Sequence, residues 1–362
     1  MKILIYADPH FCSSSSIIRG KGANGFSERI NNLMQSFDFV NKMARENGCD
    51  RIICLGDLFD KPDLTAEEIT AISQCDIGSH EFIIGNHDAL SNDLLFNAVN
   101  MFKNSKIYKE PTLEIIEGKQ FVFLPYVTET SRKPLKETLV DIGVNTEETT
   151  IIFSHNDISG IQYGSFLSKV GYSVNEILDV SDLYINGHIH NGAWVVDGRI
   201  MNVGSLTGLN FSNDATNWKN CVIILDTSNF EVRVIENPYA FLFYRVEFVG
   251  LSVEETIKRL SQFISNLNPD RKNILSLKVD SASLEDVNKV LADCNSIYYK
   301  RVVVNYGDQQ VLVEEKQQEP TLSLNTNYFE KFKEFIAEKF TEDNLNYKLM
   351  VEEINNIAGG VL

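Results

Sequence analysis

The sequence predicts a mixed α/β chain: two sheets packed face to face with helices outside, then a small α+β unit and a helical tail. Three observations carry this. Short apolar runs of strand length alternate with helical patterns through the first part of the chain. The second part is richer in strands. Near residue 240 the rhythm resets to strand–helix–strand–helix–strand.

The elements follow in order. "KILIYA" (2–7) is a strand. "SERINNLMQSFDFVNKMARENG" (27–48) is a helix with Ser27 as N-cap and Gly48 just past its end; Ile30, Leu33, Phe37, Val40 and Ala44 form its apolar stripe. "RIICL" (51–55) is the next strand, and Thr65 with Glu68 makes a capping box that opens a helix over 65–74. "EFII" (81–84) is a strand, with a helix expected near 92–102. "FVFLPY" (121–126), "TTIIFS" (149–154) and "DLYIN" (182–186) are further strands. "AWVVDGRIMNVG" (193–204) is a hairpin about Asp-Gly, and "CVIILDT" and "FEVRVIE" extend the β-rich end. From 241 to 306 the pattern is β-α-β-α-β, with Ser252/Glu255 and Ser283/Asp286 marking the helix starts. Residues 307–326 are polar and are expected to form a linker. Residues 327–362 are expected to form two amphipathic helices, one striped by Phe329, Phe332, Phe335 and Ile336, the other by Leu345, Leu349 and Ile354.

Composition bounds the function. With 362 residues, 43% hydrophobic and 23% charged, the chain can build a large soluble core. No apolar stretch approaches the roughly 18–20 residues that span a bilayer. "MKILIYADPH" meets Asp8 too early for a signal peptide. The six scattered cysteines form no C-x-x-C, so reduced thiols in a cytoplasm are expected. A net charge of −17 argues against simple electrostatic attachment to DNA or anionic membrane. It leaves nucleic acid open as a substrate, guided by local basic clusters or a basic partner.

Histidine is scarce, six in all, and five of the six sit just past strands. "ADPH" puts Asp8 and His10 after the first strand, and "GDLFD" puts Asp57 after the second. "GNHD" puts Asn86, His87 and Asp88 after "EFII", "FSHND" puts His155 after "TTIIF", and "NGHIH" puts His188 and His190 after "DLYI". Loops at the carboxyl ends of strands converge on the ligand crevice of an α/β sheet. Hard oxygens with imidazole nitrogens, and no thiolate, suit Mn²⁺, Fe²⁺ or Zn²⁺. Each motif alone is weak: D-x-H arises by chance, and a lone His is more often a satisfied polar residue than a ligand. The ordered set is specific. His80 fits no motif and receives no role, and Cys12 has no redox pattern around it.

That ordered set resembles the signature of the calcineurin-like metallophosphoesterase superfamily, over about residues 1–210. The resemblance implies a four-layer α-β-β-α sandwich and two divalent metal ions, Mn²⁺ first, with Mg²⁺, Fe²⁺ or Zn²⁺ as alternatives. Carried over residue by residue, it implies one ion on Asp8, His10, Asp57 and His190, and a second on the bridging Asp57 with Asn86, His155 and His188. His87 matches the catalytic histidine that is not a ligand, and Asp88 its orienting partner.

The later architecture resembles the SbcD type, the nuclease subunits of SbcCD-like DNA repair and recombination complexes. On that resemblance residues 1–240 are the nuclease domain, 241–306 a DNA-contacting cap, 307–326 the linker and 327–362 a helix–loop–helix that grips an SMC-like ATPase. The implied activity is exonuclease on duplex ends and endonuclease on single strands, by a homodimer within a heterotetramer, without membrane. Such relatives can carry His at the position of Asp60. The basic pairs Lys258/Arg259, Arg271/Lys272 and Lys300/Arg301 are DNA candidates or ordinary solvated faces. Two other readings stay open: a cyclic-nucleotide diesterase or protein phosphatase, and a scaffold that anchors the ATPase without catalysis.

Overall fold

Residues 1–314 are described by the computed structural model, except 92–93, 146, 164–165, 212–214, 217 and 307–308. The tail stripes from Phe329 to Ile354, and the linker beyond 314, lie outside the described residues.

The chain opens with β1 (Lys2–Tyr6), α1 (Glu28–Glu46), β2 (Arg51–Cys54), α2 (Ala66–Ile72), β3 (Glu81–Ile83) and β4 (Ile107–Tyr108). The expected caps are in place. Ser27 accepts from the Ile30 N–H, and Thr65 and Glu68 close a capping box. The helix expected near 92–102 is, among the described residues, only a 3₁₀ turn at Ala98–Met101. Asn97 takes the cap position there and accepts from the Asn100 N–H, so no regular helix enters from upstream.

Next come β5 (Thr112–Ile116), β6 (Lys119–Leu124), α3 (Leu135–Asp141) and β7 (Thr150–Ser154). Four two-residue strands follow: β8 (Ile158–Ser159), β9 (Gln162–Tyr163), β10 (Phe166–Leu167) and β11 (Tyr172–Ser173). Then come α4 (Val174–Val180), β12 (Leu183–Asn186), β13 (Ala193–Val196), β14 (Ile200–Asn202), β15 (Cys221–Asp226) and β16 (Glu231–Glu236).

The larger strands make two six-stranded sheets, β16-β15-β1-β2-β3-β4 and β13-β14-β12-β7-β6-β5. In each, four neighbouring strands run parallel; antiparallel strands close one edge of the first sheet and both edges of the second. Parallel strands buried on both faces read as unbroken apolar runs, and β1 shows why. Ile3 and Ile5 face Phe121, Phe153 and Ile185 of the second sheet, while Leu4 and Tyr6 face Leu33 and Phe37 of α1. On the far side Val122, Ile152 and Tyr184 meet Leu139 of α3 and Ile177 of α4. Helices, sheet, sheet, helices: this is the expected four-layer sandwich.

The 241–306 segment forms β17 (Phe241–Phe248), α5 (Val253–Ser265), β18 (Lys272–Asp280), α6 (Leu284–Ala292) and β19 (Ile297–Tyr306). It has its own core, where Leu242, Leu275 and Val302 pack under Leu260 and Leu291. Ser252 caps α5, but Ser283 makes no side-chain cap on α6. The expected linker starts too early: Gln309–Glu314 is a strand, β20, antiparallel to β19. Its "VLV" is a short apolar run with two β-branched residues, flanked in the sequence by polar neighbours. The four strands lie in the order β17-β18-β19-β20. No helix among the described residues is long and apolar enough to cross a membrane.

Candidate metal centre

All five ligand-bearing loops leave the carboxyl ends of parallel strands, three from one sheet and two from the other. The loop after β1 runs beside the loop after β2. Asp8 N–H donates to Gly56 O (3.2 Å), His10 N–H to Asp57 O (3.0 Å) and Phe11 N–H to Leu58 O (2.8 Å). His155, at the end of β7, crosses to the first sheet with Nδ1 2.6 Å from Leu55 O. That contact makes Nδ1 a donor and turns Nε2 toward Asp57 and Asn86.

The backbone at these loops is strained. Asp8, His10, Asp57 and His188 all have positive φ, between 46° and 65°. Non-glycine residues rarely adopt that conformation, and here the packing of two sheets holds four of them in it at one place. Gly85 has the converse role: a Cβ there would overlap the Asp57 carboxylate.

Among the described residues the side chains gather in three groups; one joins His10, Asp60 and His87, and the other two hold expected ligands. Asp8, His10 and His190 bring one ligand atom each within 4.8 Å of one another, and Asp57, His155 and His188 do the same. In the first group His10 Nε2 and His190 Nε2 are 3.0 Å apart, each about 4 Å from Asp8 Oδ1 (4.0 and 3.9 Å). In the second, Asn86 Oδ1 lies 3.2 Å from His155 Nε2 and 3.0 Å from His188 Nδ1. Asp57 stands between them. Its Oδ2 is 3.6 Å from His10 Nε2 and 3.2 Å from His155 Nε2, while Oδ1 accepts the His87 N–H at 2.8 Å.

The donor set fits divalent cations. Asp8 is fully buried, and neither carboxylate oxygen has a hydrogen-bond partner among the described residues. A buried carboxylate of that kind is costly without a cation to face. Burial pushes the Asp8 carboxyl up to about 8 in the ion-free chain. Burial also raises Asp57, but the His155 charge and hydrogen bond, with His10 and His87, outweigh it and hold Asp57 well below the carboxylate range. Burial alone would lower His155; Asp57 lifts it to about 9. Burial and the neighbouring His10 push His190 down to about 3, the neutral form that ligation needs.

His87 and Asp88 do not pair as expected. The His87 Nδ1 partner is the Asp60 carbonyl, at 2.8 Å. Asp88 is fully buried and accepts from Phe59 N–H and Gly85 N–H, both at 2.9 Å. The correction has a simple cause: adjacent side chains in a tight turn diverge. Asp88 ties the Asp57 loop to the Asn86 loop instead of orienting His87.

Several residues escaped the sequence. Asp60 Oδ1 lies 3.2 Å from His10 Nδ1, and Asp157 Oδ1 lies 3.3 Å from His188 Nε2. Asn156, Asn186 and Asn202 form a buried ladder across the ends of β7, β12 and β14: Asn156 N–H donates to Asn186 Oδ1 (3.1 Å), and Asn186 Nδ2 to Asn156 O (2.9 Å) and Asn202 Oδ1 (3.0 Å). The one signal was an amide ending or just following an apolar strand, which is also an ordinary turn residue. His80 is a satisfied core histidine between Tyr6 Oη (3.0 Å) and Asn41 Oδ1 (2.9 Å). The basic pairs have local partners: Lys258 and Arg259 face Glu255, Arg271 faces Glu236, Lys272 faces Glu28, Lys300 donates to Leu291 O and Arg301 to Ser276 Oγ.

A family model described as calcineurin-like phosphoesterase matches residues 1–192. Among solved structures, the calcineurin-like phosphoesterase YfkN from Bacillus subtilis is 14% identical, covering 65% of this chain and 88% of its own, at a TM-score of 0.35. Yfce, a phosphoesterase from E. coli, is 12% identical, covering 66% of this chain and 100% of its own, at 0.33. At those scores the family match, not these two, carries the assignment. No curated protein matches the sequence.

Proposed function

The chain belongs to the calcineurin-like phosphoesterase family, whose members are metal-dependent hydrolases, and on that premise we propose that it is a two-metal DNA nuclease of the SbcD type. The carrying observation is the place of Asp57, with one carboxylate oxygen within 3.6 Å of a histidine from each ligand group. Asp8, His10, Asp57 and His190 would hold one ion; Asp57, Asn86, His155 and His188 the other. When bound, such a pair of divalent ions polarises phosphoryl oxygens and acidifies water at the site. Mn²⁺ is the proposed metal.

The chain's own residues do the rest. The Asp60 carbonyl takes the His87 Nδ1–H, so Nε2 is the atom that can hold a proton for the leaving oxygen or donate to a phosphoryl oxygen. Asp88 keeps two loops in register through its pair of backbone hydrogen bonds. The nuclease reading rests on the sequence resemblance and on a separate β17–β20 sheet that follows the catalytic layers. It includes an SMC-like ATPase partner at 327–362, a homodimer within that complex and a cytoplasmic setting.

The test is cleavage by the purified chain with Mn²⁺ on linear duplex DNA, single-stranded DNA, a cyclic nucleotide and a phosphoserine peptide. DNA cleavage that EDTA abolishes supports the proposal. Turnover of only the cyclic nucleotide or the peptide would replace it with another phosphoesterase, and no turnover at all would leave a scaffold.

A further inference from the structure

Two carboxylates that ligate nothing in this scheme stand behind the two ligand groups. Asp60 Oδ1 is 3.2 Å from His10 Nδ1, and Asp157 Oδ1 is 3.3 Å from His188 Nε2. In both, the carboxylate meets the nitrogen that points away from the shared ligand space. His10 turns Nε2 toward Asp8, Asp57 and His190, and His188 turns Nδ1 toward Asn86. An imidazole binds a cation through an unprotonated nitrogen, so its other nitrogen carries the proton. A carboxylate that accepts that proton fixes the tautomer and the plane of the ring. The two histidines must be held in opposite tautomers, His10 protonated on Nδ1 and His188 on Nε2. The ring's own modest preference for the Nε2–H form cannot supply both.

Resting on the two-metal reading above, we propose that Asp60 and Asp157 are positioning residues, one for each metal site. Both are anchored beside their histidine by main-chain bonds. Asp60 N–H reaches Phe11 O at 3.4 Å, one residue from His10. Asp157 O accepts the Tyr172 N–H at 3.1 Å, and Gly171 (φ +103°) lets that strand pass where a Cβ would overlap the Asp157 carbonyl. The pairs differ in exposure: the Asp157 side chain is 23% exposed and Asp60 45%. The more exposed charge is better screened by water, so Asp60 contributes less. Asp60 also holds His87, but through its main-chain carbonyl, which a side-chain substitution leaves in place.

The experiment titrates Mn²⁺ into the EDTA-stripped full-length chain by calorimetry. Wild type should show two sites. Asp157→Ala should weaken one site by about 10- to 100-fold and leave the other nearly unchanged. Asp60→Ala should weaken the other site by a smaller factor. Asp157→Asn, which keeps an acceptor oxygen without the charge, should fall between Asp157→Ala and wild type. The metal-free melting temperature of all three variants should match wild type, which a merely structural role would not allow. Wild-type affinity at both sites in the two alanine variants would overturn the proposal while the two-metal reading stands. A wild-type chain that binds no Mn²⁺ would overturn both.

Discussion

Replacing Asp8 with Asn should make the ion-free protein more stable and the Mn²⁺-loaded protein less so. Asp8 is fully buried with two unpartnered oxygens, and burial raises its pKa from 3.8 to about 8. A carboxyl raised in the folded state binds more protons folded than unfolded. Its cost is absent below the unfolded value and grows as pH rises through 3.8 toward 8. At pH 7 the cost reaches about 4 kcal/mol, taking about 1.4 kcal/mol per pH unit. Asn avoids it but brings an amide donor that the site leaves unsatisfied, worth about 1–3 kcal/mol. The net gain is on the order of 1–3 kcal/mol, or a few degrees in melting temperature for a chain of this size. Mn²⁺ at a hundredfold excess over Kd adds about 2.7 kcal/mol for each site it fills, and the variant should lose that share at the Asp8 site. Thermal melts at pH 7, in EDTA and in Mn²⁺, should therefore cross. The reasoning fails if the variant melts below wild type in EDTA, or if Mn²⁺ raises both equally.

Asp57→Asn should remove Mn²⁺ binding at both sites together with hydrolysis, while circular dichroism stays native; one surviving calorimetric site would show that Asp57 does not bridge. His87→Ala should keep two Mn²⁺ sites and lose roughly 10²–10⁴ in cleavage rate, the usual scale of positioned proton transfer; loss of a metal would place His87 among the ligands. His80→Phe should destabilise the chain by about 2–5 kcal/mol, because the Tyr6 hydroxyl and the Asn41 amide oxygen each lose a partner. Burial lowers the His80 pKa from 6.5 to about 3, so the wild-type fold holds it neutral and loses stability as pH falls from 6.5 toward 3. Denaturant melts should show a shallower loss over that window in the variant.

The ligand loops were legible because their chemistry is local. Each motif sits within a few residues of an apolar strand, and strand ends were readable from hydrophobic runs such as "KILIYA" and "DLYIN". What completes the centre is not local. Asp60 and Asp157 acquire meaning only when His10 and His188 arrive from 50 and 31 residues away. The asparagine ladder spans three strands, and no spacing announces it. The expected His87–Asp88 partnership fails for the same reason: adjacency in sequence is not contact, and Asp88 reaches back to Phe59. Among the elements not read from the sequence, α4 opens on a Ser173/Glu176 capping box like the one that marks α2, a signal that was there to find; α3 has no side-chain cap, and β20 sits among polar neighbours.

Strand β1 lies inside its sheet between β2 and β15, with Lys2 opposite Asp226 and Ile5 opposite Ile223. One edge of the strand that leads into Asp8 thus stays unpaired until more than 200 further residues have been made. At about 5–20 residues per second, that is roughly ten to forty-five seconds of translation with an apolar edge exposed. The last candidate ligand, His190, is made well before the sheet is closed. A message cut between codons 190 and 221 would encode every candidate ligand of the centre without the strand that closes the edge of β1.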